Sequence, residues 1–431
     1  MAMTPAETFS HDFSDERYQE ALLGLFQPGS GVAPPKLAGR GRETKTFLNK
    51  LLRPLQGGRG PTRDLVLYGP RGNGKTVLLA DFRRQARADQ IGVLALTRRV
   101  LKSPADLARA LLNSPSTGQG ALTRAVATAV DTAQRAVDRN LAVDGVTVGA
   151  PSLGTVSLGA VSAAALTTEL VARLTARCGE QPLLVTVDEA HTLDCEVGQD
   201  LLNLSQQLRT DGIPFGLILV GTPNLEARLG EMDATFWSRA EILPIGRLNA
   251  QDTATALTEP LADWSVTFDP AALETVVTDC QGYPYFTQLW GEALCEALVY
   301  ESHEHTVTPA TVEQVYAQVD ARRQRYYGER YRELEDRGLV EAADIVAEVF
   351  ADTDQAHKAA LRTALQEVLG LEVAAASAAL GQLAALGYTW RVTSANDWFE
   401  PGIPSLMTHV QTRLQAAVAH TAAPVANPSF G

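Results

Sequence analysis

The chain has 431 residues, 45% of them hydrophobic, and a formal net charge of −13. That length allows two or three domains with proper cores, and a composition rich in alanine and leucine but poor in aromatics favours helices. The acidic balance argues against broad nucleic-acid binding and leaves only a local basic patch to consider.

Residues 1–36 read as an N-terminal extension, with a short amphipathic piece from Tyr18 to Phe26 followed by the Pro/Gly-rich stretch QPGSGVAPP. From 37 to 248 apolar strands and helical segments alternate, which predicts a parallel sheet covered by helices. Strands are expected at 64–68, 92–97, 183–187, 215–221 and 241–245, the last marked as an edge or irregular strand by Pro244. Helices are expected from Lys75 to about Ala88, at 104–113 behind the start signal Ser103–Pro104, at 121–139 and at 163–177, with a hairpin at 146–161. Residues 249–337 read as helices only, forming a lid and a linker helix. Three helices and then two short strands around the turn SAN, over 338–418, give the order of a winged-helix domain, and 419–431 reads as a disordered tail. Cys178, Cys195, Cys280 and Cys295 form no CxxC pair and no zinc-finger spacing, so they read as reduced thiols. Acidic residues near the start (Glu7, Asp12, Asp15, Glu16) do not fit a secretory signal, and the apolar run 215–221 is too short to span a bilayer. The expectation is a cytoplasmic protein.

The string Gly69-Pro70-Arg71-Gly72-Asn73-Gly74-Lys75-Thr76, with Val77 behind it, matches the phosphate-binding pattern GxxxxGK[ST] without error. It follows an apolar strand and opens an amphipathic helix. Glycines let successive N–H groups face a phosphate, and the helix N-terminus adds its positive end. Lys75 is expected on the β/γ-phosphates of ATP and the Thr76 hydroxyl on Mg²⁺. In LLVTVDEAH, a buried strand carries Asp188 to its end for the metal, with Glu189 beside it as general base for the attacking water. His191 completes a DEAH string that does not by itself mean a helicase. In GLILVGTPN, Thr222 is expected to face the γ-phosphate if its strand lies between the first two, with Asn224 as the alternative. Arg239, just before the last core strand, is either a structural surface residue or a group that reaches a neighbouring subunit's γ-phosphate.

This order of P-loop, DEAH-type motif, polar strand end, arginine and helical lid resembles an AAA+ ATPase. It is most similar to the branch holding origin-initiator, archaeal-type and STAND ATPases. LAGRGRE at 37–43 is similar to a family stretch whose backbone borders the adenine, and QGYPYFTQLWGEAL at 281–294 to the family's lid motif. The resemblance covers roughly 37–300. It implies an α/β fold: an AAA+ P-loop parallel sheet flanked by helices, then an α-helical lid and a C-terminal winged-helix domain. One departure matters. Initiator-type members place a sensor arginine where this chain has Tyr285, which implies a role in nucleotide affinity or lid closure rather than in chemistry.

The would-be recognition helix, 377–386, has no Lys or Arg and only Gln382 to read a base. Six arginines and three tyrosines at 321–337 are mixed with acids, which fits a solvated linker helix better than a nucleic-acid face. Ser405 is expected to N-cap the last helix. The function these features favour is an ATP-driven switch. It would couple nucleotide state to self-association and a protein partner, in systems such as bacterial defence or transposition. The alternative is a DNA-binding initiator or loader.

Overall fold

The computed structural model describes residues 11–29, 34, 36–57, 62–97, 101–113, 163–391 and 397–422. The helix expected at 121–139, the hairpin at 146–161 and the tail beyond 422 lie outside the described residues. Strands β1 (Leu65–Tyr68), β2 (Gly92–Leu96), β3 (Leu183–Val187), β4 (Phe215–Gly221) and β5 (Glu241–Pro244) form one sheet in the order β2-β3-β4-β1-β5. All its pairings are parallel. The three central strands are buried throughout, which is why their sequences are mostly apolar rather than alternating. β5 is an edge strand, where Pro244 costs no ladder bond on its outer side.

Helices cover both faces. On one, α2 (Gly41–Phe47) meets α3 (Lys75–Ala88), with the rings of Phe47 and Phe82 stacked 4.2 Å apart. On the other lie α4 (Pro104–Asn113), α5 (Ala163–Glu180), α6 (Cys195–Thr210), α7 (Leu225–Met232) and α8 (Phe236–Arg239). In this order β3, β4 and β1 are neighbours. Their C-terminal ends, and the segments that follow them, therefore sit side by side on one edge of the sheet.

The lid comprises α9 (Ala250–Ala262), α10 (Pro270–Cys280), α11 (Pro284–Ala297) and the long α12 (Pro309–Glu335). Side-chain caps from Asn249, Asp269 and Thr308 start three of them. The expectation of helices alone is corrected at one place: β6 (Thr267–Phe268) pairs in parallel with β7 (Thr306–Val307). Two-residue strands carry no readable period.

The N-terminal segment is not a loose extension. In α1 (Glu16–Leu23) Tyr18 and Leu22 are fully buried in the lid's core, and the Tyr18 hydroxyl donates to the Trp264 carbonyl at 2.7 Å. Phe26 lies on Gly291, where an added Cβ would stand 2.4 Å from the ring. Gly291→Ala is therefore expected to weaken this seat by about 1–3 kcal/mol. Faster amide exchange across 16–26 than elsewhere in the chain would reveal it, and unchanged exchange would refute it.

The C-terminal unit runs α13 (Val340–Val349), β8 (Ala356–His357), α14 (Lys358–Leu369), α15 (Val373–Leu386), β9 (Thr389–Trp390), β10 (Trp398–Pro401) and α16 (Pro404–Ala422). Its strands form an antiparallel sheet, β8-β10-β9. β8 has no counterpart among the expected strands, and the last helix runs past the expected boundary at 418. Ser405 is not an N-cap. It lies inside the first turn of α16, where its hydroxyl accepts from Tyr327. No single helix among the described residues is long and apolar enough to cross a membrane.

Candidate nucleotide site

Between the sheet edge and the lid is a cavity of about 310 Å³. Arg71, Gly72, Asn73, Gly74, Lys75, Thr76 and Val77 line it, as does Tyr285, all of them expected nucleotide ligands. Gly69 and Pro70 lie behind it. A Cβ on Gly69 would meet the Ile245 carbonyl at 2.3 Å, so only glycine lets β5 approach there. Gly72 and Gly74 have φ of +84° and +81°, the left-handed turns that curl the loop over the start of α3.

The cavity's charge decides what it can hold. Its lining includes Lys36, Arg40, Arg71 and Lys75 against the single carboxylate of Glu189. A cationic hollow at a helix N-terminus, in a chain of net charge −13, is built for a polyphosphate. Lys75 is buried, and its ammonium donates to the Pro70 carbonyl at 2.7 Å. Burial pushes its pKa down to about 8, against the pull of Glu189 and Asp188.

Asp188 and Glu189 follow β3. An Asp188 carboxylate oxygen accepts the Glu189 N–H at 2.9 Å. Glu189 has φ of +57°, a left-handed conformation that costs a non-glycine residue about 1–2 kcal/mol and turns this carboxylate into the cavity. His191 links the two neighbouring strand ends. Its Nε2 is 3.4 Å from Glu189, and its Nδ1 accepts the Thr222 N–H at 3.4 Å. Burial lowers the His191 pKa, which keeps the ring neutral at pH 7. β4 does lie between β3 and β1, as the Thr222 expectation required. Thr222 is buried at the strand end beside His191 and does not line the cavity, and Asn224 is exposed.

Of the two oxygen donors expected for Mg²⁺, Thr76 lines the cavity, whereas Asp188 follows β3 beside the lining residue Glu189 and is not itself in the lining. No group of three or more His, Cys, Asp or Glu among the described residues forms a metal cage. A hard cation held by one hydroxyl and one carboxylate needs further oxygens, and a bound polyphosphate would provide them. The residues present fit the ion on those terms.

Arg239 lies away from this site. Glu241 at the start of β5 pairs with Leu65 at the start of β1, whereas the P-loop leaves the far end of β1 at Tyr68. Three strand steps, about 10 Å at roughly 3.3 Å each, separate the two edges. The guanidinium is held by Asp233 and Gln206 and stands over Phe236.

Three contributors were not foreseen. Arg40, buried within LAGRGRE, donates to the carbonyls of Asn73 at 3.0 Å and Gly246 at 2.8 Å, clamping the P-loop to the hinge before the lid. Tyr283, in the lid motif, is fully buried against Gly72, where a Cβ would stand 2.6 Å from its ring. Gln27 and Gly29 bring the N-terminal segment to the cavity, and the Gln27 N–H donates to Gln288 at 3.2 Å. Each acts through a partner distant in the chain, so the local sequence gave no pattern to read.

Residues 61–229 match the family model described as AAA domain. That stretch is therefore similar to an AAA domain and is called so below. No curated protein matches it. The fold of the whole chain is similar to that of the Aeropyrum pernix ORC2 protein solved as ADPNP–ADP complexes. That match has a TM-score of 0.55 at 18% identity and covers 92% of this chain and 100% of that one. It is also similar to a Walker-type ATPase of Pyrococcus abyssi, with a TM-score of 0.56 at 16% identity over 90% and 99% of the two chains. The architecture is thus an AAA+ one, a helix-flanked parallel sheet followed by helical and C-terminal units. The AAA domain contributes the P-loop and the Asp188–Glu189 edge. The lid and the N-terminal segment close the cavity from outside it.

Proposed function

We propose that the protein is an ATP-hydrolysing switch in which nucleotide state governs whether the C-terminal unit stays on the AAA domain. What supports this is the cationic cavity with one carboxylate at its phosphate end, flanked by that unit. Gly387 rests on Pro70, where a Cβ would lie 3.4 Å away, and Trp390 is buried over Tyr68 at 5.2 Å. Arg391 donates to Glu226 at 3.0 Å.

In the proposed reaction Glu189 takes a proton from water as the water oxygen bonds to the γ-phosphorus. The bond to the β–γ bridging oxygen breaks and its electron pair leaves with ADP. Lys75 and the loop N–H groups hold the phosphates in line. Mg²⁺, held by Thr76 and Asp188, would neutralise phosphate charge. Thr222, with His191, positions the edge on which Glu189 stands. Tyr285 and the lid set affinity. In this proposal 338–422 is a winged-helix domain acting on proteins, the protein is cytoplasmic, and bacterial defence or transposition is the setting that the family resemblance implies.

Arg239 is assigned to the γ-phosphate of a neighbouring copy, since the sheet separates it from its own. It must leave Asp233 to reach one. Glu189→Gln protein with Mg-ATP should sediment as an oligomer, and added Arg239→Ala should return it to monomer. A Glu189→Gln protein that stays monomeric at saturating ATP would rule this out.

A DNA-loading role is the second reading. Against it, α15 turns Ser377, Leu380, Gly381 and Ala384 toward Tyr68 and Glu226 of its own AAA domain. Two arginines of α12 are also engaged internally, Arg322 with Glu292 and Arg323 with Asp279. DNA binding that weakens steeply with salt would favour the loader instead.

A further inference from the structure

The lid brings no arginine to the nucleotide, because Tyr285 occupies that place and stacks on Tyr326 of α12, ring centroids 5.1 Å apart. A cation nonetheless stands at the phosphate end. Arg71, on the P-loop itself, lines the cavity together with Glu189 and Lys75. It is close enough to depress the pKa values of both Lys75 and His191. Its guanidinium, about half exposed, reaches outward to Glu333 near the end of α12 at 3.5 Å. Glu333 has a better partner in Arg330, whose Nη1 donates to both its carboxylate oxygens at 2.8 and 3.0 Å.

We infer that Arg71 is the γ-phosphate cation of this site, supplied in cis by the P-loop, and that it exchanges Glu333 for the γ-phosphate when ATP binds. This rests on the proposed nucleotide function of the same cavity. The magnitudes favour the exchange. A half-exposed ion pair at 3.5 Å is weak, whereas a guanidinium-to-phosphate hydrogen bond is charge-assisted and can be bidentate. Glu333 loses little, because Arg330 keeps it neutralised. ADP has no γ-phosphate and leaves Arg71 on Glu333.

The exchange has a direct line to the rest of the molecule. α12 is linked to the P-loop a second time through the lid's Tyr283, which packs on Gly72 and whose hydroxyl meets that of Tyr326 of α12 at 3.1 Å. α12 also leads straight into the C-terminal unit. Freeing Glu333 removes one of the ties between the loop and this helix only when the third phosphate is present. The cation's place is therefore also the point at which ATP is told from ADP.

The test is the ratio of ATP to ADP affinity, read by displacement of a fluorescent nucleotide from the full chain, for wild type, Arg71→Ala, Glu333→Gln and the double variant. Arg71→Ala should weaken ATP about tenfold, the worth of one charge-assisted hydrogen bond, and leave ADP unchanged. Unchanged ADP binding also shows that the variant is folded, and both positions are half exposed, so each tolerates the change. Glu333→Gln should tighten ATP alone, and the double variant should match Arg71→Ala. Equal losses of ATP and ADP in Arg71→Ala, or a Glu333→Gln effect that survives without Arg71, overturns the assignment while the nucleotide site stands. A wild type that binds neither nucleotide overturns both.

Discussion

Replacing Glu189 with glutamine is expected to leave ATP bound and to slow its hydrolysis by about 10² to 10⁴-fold, the range of a lost general base. The geometry behind this is specific. Among the described residues Glu189 is the only carboxylate lining the cavity, and it is turned there by a left-handed backbone. Its one side-chain neighbour for pairing is His191, neutral through burial and 3.4 Å away, so the carboxylate is free to accept a proton. Glutamine keeps the shape and removes that capacity. Lys75→Ala should behave differently and lose binding itself, because the buried ammonium is the charge closest to the loop's phosphate seat. Phosphate release measured beside nucleotide binding separates the two. If Glu189→Gln turned over ATP at nearly the wild-type rate, the water would have to be activated elsewhere.

The second large effect is expected at Trp390. Its side chain is 2% exposed, although it belongs to the C-terminal unit, because it is inserted among Tyr68, Trp237 and the other residues on one face of the AAA sheet. Truncating a buried tryptophan typically costs about 3–5 kcal/mol. Here much of that loss falls on the contact between two units, so the expected result of Trp390→Ala is release and not general unfolding. X-ray scattering should give a larger radius of gyration, and the ATP turnover of the freed AAA domain should rise. The indole N–H has no partner in this position, so the seat depends on packing and leaves a buried donor unsatisfied. A seat of that kind gives up more easily than its buried area suggests. A Trp390→Ala protein that stays compact and hydrolyses ATP at the wild-type rate would remove the covering role.

Much of the site was legible because its chemistry is local. GPRGNGKT needs consecutive residues with particular backbone freedom and one lysine, and all of that is written in eight positions. The Asp188–Glu189 pair stood out because a buried strand ending in two acids has few other uses, and the fold puts Glu189 in the cavity lining. What the chain did not disclose depends on distant partners. Tyr283 is one tyrosine of two in GYPYF, and only the fold puts it, rather than Tyr285, against Gly72. Arg40 had no role of its own within LAGRGRE, and only the fold brings Gly246 and Asn73 to it from two other segments. Phe26 and Gly291 are 265 positions apart, yet each explains the other. Thr222 shows the converse limit. Its strand was placed correctly, but the side chain stops one layer short of the cavity wall.

The cores divide the molecule differently from the order of the chain. Phe13, Tyr18, Leu22 and Phe26 share one apolar cluster with the lid and with residues as late as Val410, whereas the sheet has separate clusters on its two faces. Mechanically, then, both ends of the described chain belong to a single helical jaw. That jaw joins the sheet through the hinge at 245–250 and leans on it through Trp390. The nucleotide cavity lies at the fulcrum. In the proposed switch, a displacement of about an ångström there, as a third phosphate arrives or leaves, would become a larger arc at the outer end of the jaw, with no need for the jaw itself to deform.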